Sequence, residues 1–342
     1  MVDEITSVDQ LEEMISAPSQ GVIETLRQLQ GDIVVLGAGG KMGPSLARMA
    51  RRAADEGGVS RRVIGVDLFP SAEQEMKLRA AGVETIRCDL TDQAQLESLP
   101  DAANVVFMVG MKFGSTGREA LTWALNAFLP GLVCRKYSRS RIVAFSTGNV
   151  YGMVPLHSGG SVETDAPNPS GEYAASALAR ERIFEYFSRT MGIPTSIIRL
   201  NYSNEMRYGV LVDIAQKVWN SEPVDVTMGM ANVIWQADAN AMALQSLAHA
   251  ASPPFVINAA GPEIVSVRRV ALEFGELMGR EVVFTGAESP DAFLSNGQLG
   301  HRLFGYPRVP VQQMIRWVAK WIMRGGQTLG KPTHFETRDG RF

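Results

Sequence analysis

The stretch DIVVLGAGGKMG, Asp32 to Gly43, decides how this chain is read. Ile33-Val34-Val35-Leu36 is apolar at every position, which suits a short strand buried on both faces. The run ends in a glycine cluster, Gly37-Ala38-Gly39-Gly40-Lys41-Met42-Gly43, and KMGPSLARMARRA then follows with helical spacing. A glycine pattern alone is a weak signal, but between a strand and a helix it is a strong one. Gly37 permits the tight turn, Gly40 lets the backbone approach a pyrophosphate, and Gly43 lets helix and strand pack closely. The N–H groups at the helix start, those of Lys41 and Met42 among them, and the helix dipole favour phosphate charge. A turn whose glycines serve packing alone is the other reading.

Downstream, the same rhythm repeats. RRVIGVDLF, ETIRCDL, ANVVFMVGM, SRIVAFST and PTSIIRLN read as strands. Between them lie the helical stretches SAEQEMKLRAAG, QAQLESL, REALTWALNAFLPGLVCRKYS and GEYAASALARERIFEYFSRTMG. Alternating apolar strands and helices predict an α/β fold, a doubly wound parallel sheet of the Rossmann kind, with ligands at the carboxyl ends of the strands. Asp67 closes the second strand, some two dozen residues after Gly43. A carboxylate there accepts hydrogen bonds from a ribose 2′-hydroxyl and repels a 2′-phosphate, so NAD is the expected cofactor. Asp89, with Leu90 after it at the end of the third strand, either accepts from an adenine amino group or caps a turn.

The flanks differ from this core. Residues 1–30 read as an extension of two short helices split by SAPSQG, packed on the outside or serving as a partner-binding arm. Residues 31–201 form the dinucleotide-binding domain. Residues 202–342 have looser, Gly-, Met- and Pro-rich connections and read mainly as a smaller C-terminal substrate lid, with some segments returning to the core. The tail GKPTHFETRDGRF either docks on the lid or a neighbouring subunit, or is a disordered end.

Composition excludes several classes. Of 342 residues, 45% are hydrophobic, and the formal net charge of -3 comes with no long basic run, so nucleic acid is not an expected partner. RRAADEGGVSRR and CRKYSRSR read as solvated helix ends. Cys88 and Cys134 read as buried reduced thiols of a cytoplasmic protein. No apolar run reaches the ~18 residues of a membrane span, and the acidic N-terminus lacks the pattern of a signal peptide. The histidines His157, His249, His301 and His334 show no metal-ligand spacing.

From residue 31 to about 320 the sequence resembles the extended short-chain dehydrogenase/reductase, or NAD-dependent epimerase/dehydratase, family. The spacing GxxGxxG from Gly37 to Gly43 is that family's form. FMVGMKFG resembles its stretch beside the nicotinamide ribose, which brings Val109, Gly110 and Lys112 into the cofactor set. FSTGNVYG resembles its serine/threonine motif, ETDAPNPSGEYAAS the loop before its catalytic tyrosine, and VINAAGPEIVSV a late strand-and-turn segment that includes Asn258. The resemblance implies hydride transfer between NAD and a carbinol or ketone carbon of a sugar, sugar acid or nucleotide sugar. It implies Tyr173 as the acid/base, Thr147 as the hydroxyl on the same oxygen, and Ser146 beside it. Asn149, Asn201, Arg207 and Trp235 become substrate candidates, with Arg199, Tyr208, Asp238, Asn240, Arg268 and Arg269 nearby in the same segments. By analogy it also implies a homodimer through residues 118–138 and 172–190.

One departure matters. The family's lysine falls four residues after the tyrosine, where this chain has Ala177. A phenol with no cation keeps a pKa near ~10 and is a poor base at neutral pH. Three explanations stand side by side. The charge has moved, to Lys112 or to Arg180, which starts ~10 Å along the helix axis from Tyr173. Or Tyr173 only orients a substrate whose proton is easily lost. Or catalysis is gone, leaving an NAD-binding sensor or structural protein.

Overall fold

The computed structural model describes residues 3–112, 114 and 116–341. Seven parallel strands form one sheet: β1 (Ile33–Leu36), β2 (Val63–Asp67), β3 (Glu84–Arg87), β4 (Asn104–Phe107), β5 (Arg141–Thr147), β6 (Thr195–Leu200) and β7 (Phe255–Ala259). Their order is β7-β6-β5-β4-β1-β2-β3. Every pairing is parallel, with Leu36 of β1 lying between Val66 of β2 and Phe107 of β4. β1 and β4 are buried at every position, as their unbroken apolar runs require, whereas β3 closes an edge and is partly exposed. Between β1 and β4 the direction of winding reverses, and the crevice at this switch point opens at the glycine turn. The seventh strand, β7, comes from the C-terminal half and pairs with β6 from Phe255–Ser196 to Ala259–Leu200.

The helix Gly43–Glu56 covers β1 and β2, and two N-terminal helices, Val8–Ile15 and Gln20–Gln28, pack on its outer side. Ser7 and Ser19 cap these helices by accepting from the N–H groups of Gln10 and Val22. They bury Leu11, Ile15, Val22 and Leu26 completely. Glu12 pairs with Arg48 at 3.2 Å and Glu13 with Arg52 at 2.7 Å. The Arg61 guanidinium donates to the carbonyls of Leu26 and Leu29.

In the C-terminal half, helices Val210–Trp219, Val267–Met278 and Val311–Met323 pack together. Ser45, on the helix that follows the glycine turn, accepts hydrogen bonds from Gln236 and Asn240, each at 2.9 Å. The two halves are thus tied beside the crevice. The tail does not trail away: the Leu329 N–H donates to the Arg207 carbonyl at 3.0 Å, and the Trp321 indole donates to the Gln327 carbonyl at 3.0 Å.

Candidate active site

The glycine turn has the shape that close approach of a large anion demands. Gly37 adopts φ +91°, and a Cβ on Gly43 would stand 2.5 Å from the Gly37 carbonyl oxygen and 2.7 Å from the Ala38 Cα. Only glycine lets this helix start so near the strand. Asp67 lies beside the turn, accepting from the Gly39 N–H at 3.0 Å. Val109 and Gly110 follow β4 on the other side of the switch point, and a Cβ on Gly37 would sit 3.0 Å from the Val109 nitrogen. A bare backbone cradle, a helix start with no side-chain cap and a carboxylate at the end of the second strand together fit an NAD-type dinucleotide. Asp89 caps its own turn, accepting from the Thr91 N–H and hydroxyl at 2.9 and 2.6 Å, and Leu90 is buried.

The loop residue Lys41 turns across the crevice, its amine 2.8 Å from the centre of the Tyr208 ring. Burial first, then the charges of Lys112 and Lys331, push its pKa down to about 6. Met42 packs against the main core.

Tyr173 lies in the first turn of the helix Gly171–Met191. Thr147, the last residue of β5, lies near its phenol and favours the phenolate, while its own hydroxyl donates to the Asn149 side-chain oxygen at 3.3 Å. The Thr147 hydroxyl also accepts from the Asn149 N–H at 3.2 Å, which keeps buried Asn149 alongside. Burial raises the Tyr173 pKa, and the Thr147 hydroxyl and the charge of Arg180 oppose that rise. Arg180 reaches the site from two turns further along because helical side chains lean toward the N-terminus. Its guanidinium is fixed by the Phe145 carbonyl at 2.8 Å and by the Asn126 side-chain oxygen at 2.6 Å. Asn126 sits in a π turn, Ala124–Phe128, inside the long helical region after residue 118, and also binds both the N–H and the carbonyl of Met111. Lys112 places its amine 5.8 Å from the centre of the Tyr173 ring and donates to the Thr333 carbonyl at 3.2 Å. Burial lowers its pKa to about 8, against the raising effect of Asp213 and Glu336.

Ala177 is fully buried against Val150, Tyr151 and Leu178. Two cations therefore stand near Tyr173 without a lysine on that helix face. Arg180 carries the stronger link to the phenol; its spacing along the helix axis, counted from backbone to backbone, understates its reach.

Other candidates are engaged elsewhere. Ser146 donates to Glu181 at 2.6 Å, and Glu181 is paired with Arg199 at 2.7 Å in the interior. Asn201 donates to the Asn232 side chain at 2.6 Å. Arg207 is clamped between Glu205 at 2.9 Å and Glu12 of the N-terminal extension at 2.6 Å. Trp235 packs on Trp317 in the core, Asp238 pairs with Arg308, and Arg268 pairs with Glu288. Asn258 accepts from the Tyr151 hydroxyl at 2.8 Å. Among the described residues no group of three or more His, Cys, Asp or Glu could hold a metal ion, and no helix is long and apolar enough to cross a membrane.

A profile of the NAD dependent epimerase/dehydratase family matches residues 33–204, from β1 to just past β6. The chain belongs to this family. No curated protein matches it. Among solved structures, the fold is similar to that of a UDP-glucose 4-epimerase from Thermus thermophilus in complex with NAD, at 20% identity and a TM-score of 0.70, covering 86% of this chain and 99% of that one. It is also similar to a UDP-glucose 4-epimerase from Thermotoga maritima with UDP-glucose, at 18% identity with the same TM-score and coverage. A UDP-glucuronic acid 4-epimerase from Bacillus cereus, in complex with UDP-glucuronic acid and NAD, is 17% identical, again with a TM-score of 0.70 over 86% of this chain and 99% of that chain. At these identities the structural likeness establishes the fold, and the epimerase/dehydratase family membership rests on the profile.

Proposed function

We propose that this protein is an NAD-dependent enzyme acting on a sugar nucleotide, in the manner of an epimerase or dehydratase. The observation that carries the reading is the Tyr173–Thr147 pair at the carboxyl end of β5, with Arg180 opposing the rise in the phenol pKa. Membership of the epimerase/dehydratase family and the NAD and UDP-sugar complexes of its structural neighbours support it.

The turn Gly37–Gly43 would hold the cofactor's pyrophosphate, Asp67 its ribose hydroxyls, and Val109–Gly110 the wall beside its nicotinamide half. Bound there, the cofactor supplies hydride acceptance and return. The rest is the work of the chain. Thr147 donates a hydrogen bond to the substrate oxygen on which negative charge develops. Tyr173 takes the proton from that oxygen and later returns it. Arg180 and Lys112 favour the phenolate by charge, and the buried setting strengthens their effect. Asn149 orients the Thr147 hydroxyl by donating its N–H to it.

The helices flanking β5 expose Leu121, Trp123, Phe128 and Tyr186. That apolar face supports a homodimer built on residues 118–138 and 172–190.

The test is incubation with NAD and UDP-glucose, UDP-galactose and UDP-glucuronic acid, with separation of the products by chromatography. Conversion to the 4-epimer or to a dehydrated keto-sugar, lost in Tyr173→Phe, is the expected result. NAD uptake by calorimetry with no conversion of any of the three would instead favour the sensor reading.

A further inference from the structure

The segment after the helix Val311–Met323 folds back over the catalytic mouth. The Thr333 N–H and hydroxyl both donate to one carboxylate oxygen of Asp213, at 2.7 and 2.5 Å. The Thr333 carbonyl accepts the Lys112 amine at 3.2 Å. Thr333 and Phe335 are each only 2% exposed, and the Phe335 N–H donates to the Thr333 hydroxyl oxygen at 3.2 Å. Further along, Glu336 pairs with Lys217 at 3.7 Å, and the Arg338 guanidinium donates to the Asp291 carbonyl at 3.0 Å and pairs with its carboxylate. Gly340 lies against Ser170 and Gly171, directly before Tyr173. Gly171 has φ +79°, and a Cβ there would collide with the Gly340 carbonyl, so the two backbones meet with no room for a side chain.

We propose that residues 328–341 form a strap that is part of the active site, in which Thr333 and Asp213 act as positioning residues that hold the Lys112 amine beside Tyr173. The inference rests on the reading of Tyr173 as the proton carrier. Its physical basis is the length of a lysine. Four methylenes and a point charge have no preferred direction of their own, and residues 108–112, which lead to the Lys112 side chain, lie in neither helix nor strand. A carbonyl at a fixed place supplies the direction. Thr333 is latched next to that carbonyl by Asp213, itself on the helix Val210–Trp219. The charged and titratable groups around the amine come from four elements: Asp213 from that helix, Glu336 from the strap, Tyr173 from the helix Gly171–Met191 and Lys41 from the glycine turn.

Competitive acetylation of the full-length protein, read by mass spectrometry across pH, follows Lys112 without any turnover. In the wild type its midpoint is expected at about 8, the value burial gives it. Thr333→Val should shift that midpoint toward an ordinary lysine, near ~10.4, and speed amide exchange across residues 333–341. Thr333→Ser keeps the donor and should match the wild type. Thr333→Ala serves as the second opened latch if the valine variant does not fold. With UDP-glucose, either opened variant should lower kcat by ~10- to 100-fold. Neither should lower it further in a Lys112→Ala background, because a residue that acts through another adds nothing once that other is gone. An unmoved Lys112 midpoint, or losses that multiply in the double variant, would overturn the strap's role. A wild type that converts no sugar nucleotide yet shows the acetylation shift would leave the latch standing and remove the substrate reading instead.

Discussion

Tyr173 is held in a balance of opposing effects. Burial disfavours its phenolate, while a hydroxyl and a guanidinium favour it. Replacing Ala177 by lysine would not restore an absent charge so much as crowd a filled space, since Ala177 is fully buried against Val150, Tyr151 and Leu178. Ala177→Lys is therefore expected to lower stability by ~1–3 kcal/mol through overpacking, measured by urea unfolding, with no gain in turnover at neutral pH. A faster enzyme would show that the phenol lacks charge. Lys41 gives a second residue-scale prediction. Its amine, pushed down to about 6, is mostly neutral at pH 7.5. A pyrophosphate laid on the adjacent turn would favour the ammonium form, so NAD binding at pH 7.5 should take up a fraction of a proton. Calorimetry in buffers of different ionisation enthalpy reads this as a slope, and a flat response would count against it. The same depression makes stability rise with pH between about 6 and the ordinary lysine value, because the unfolded chain binds more protons in that window.

At the scale of elements, the strand–turn–helix that opens the fold was legible from Ile33 to Gly43, because Gly37 takes a positive φ and Gly43 has no room for a Cβ. Asp67 was equally legible, since its place at the end of a strand is fixed by period and length. Arg180 was hard to rank because its side chain, and not its position on the helix, brings it to the phenol. Docking of the tail was one reading of the sequence, but Thr333 itself did not stand out: its contact with Lys112 spans more than two hundred residues of sequence. The engagement of Arg207 with Glu12 was invisible for the same reason. Gly110 offers a test of how elements share the site. A Cβ there would collide with the Arg180 guanidinium, within van der Waals reach of Asn126. Gly110→Ala should thus leave the fold intact by circular dichroism, yet move the limb of the pH–rate profile on which the rate rises with deprotonation of Tyr173 to higher pH, as Arg180 is displaced from the phenol. An unchanged profile would show that Arg180 does not tune Tyr173.

At the scale of the whole molecule, the N-terminal helices are locked onto the rest of the molecule rather than merely touching it. They cover the glycine-turn helix and reach Arg207 through Glu12. The exposed Leu121, Trp123, Phe128 and Tyr186 give the flank of β5 an apolar face. Phe128→Arg, at the residue most exposed in that set, should convert a dimer to a monomer in light scattering while sparing NAD affinity; a wild type that is already monomeric at micromolar concentration would remove the dimer. Ser45 bears on how such a machine would breathe. Its hydroxyl joins the wall that begins at the glycine turn to the wall that carries Gln236 and Asn240. Swinging those walls apart would strand two amides in an oily interior, so the cleft resists hinge-like gaping. A coenzyme lodged there would trade places with bulk solution slowly, staying on board through many catalytic cycles in the manner of a prosthetic group.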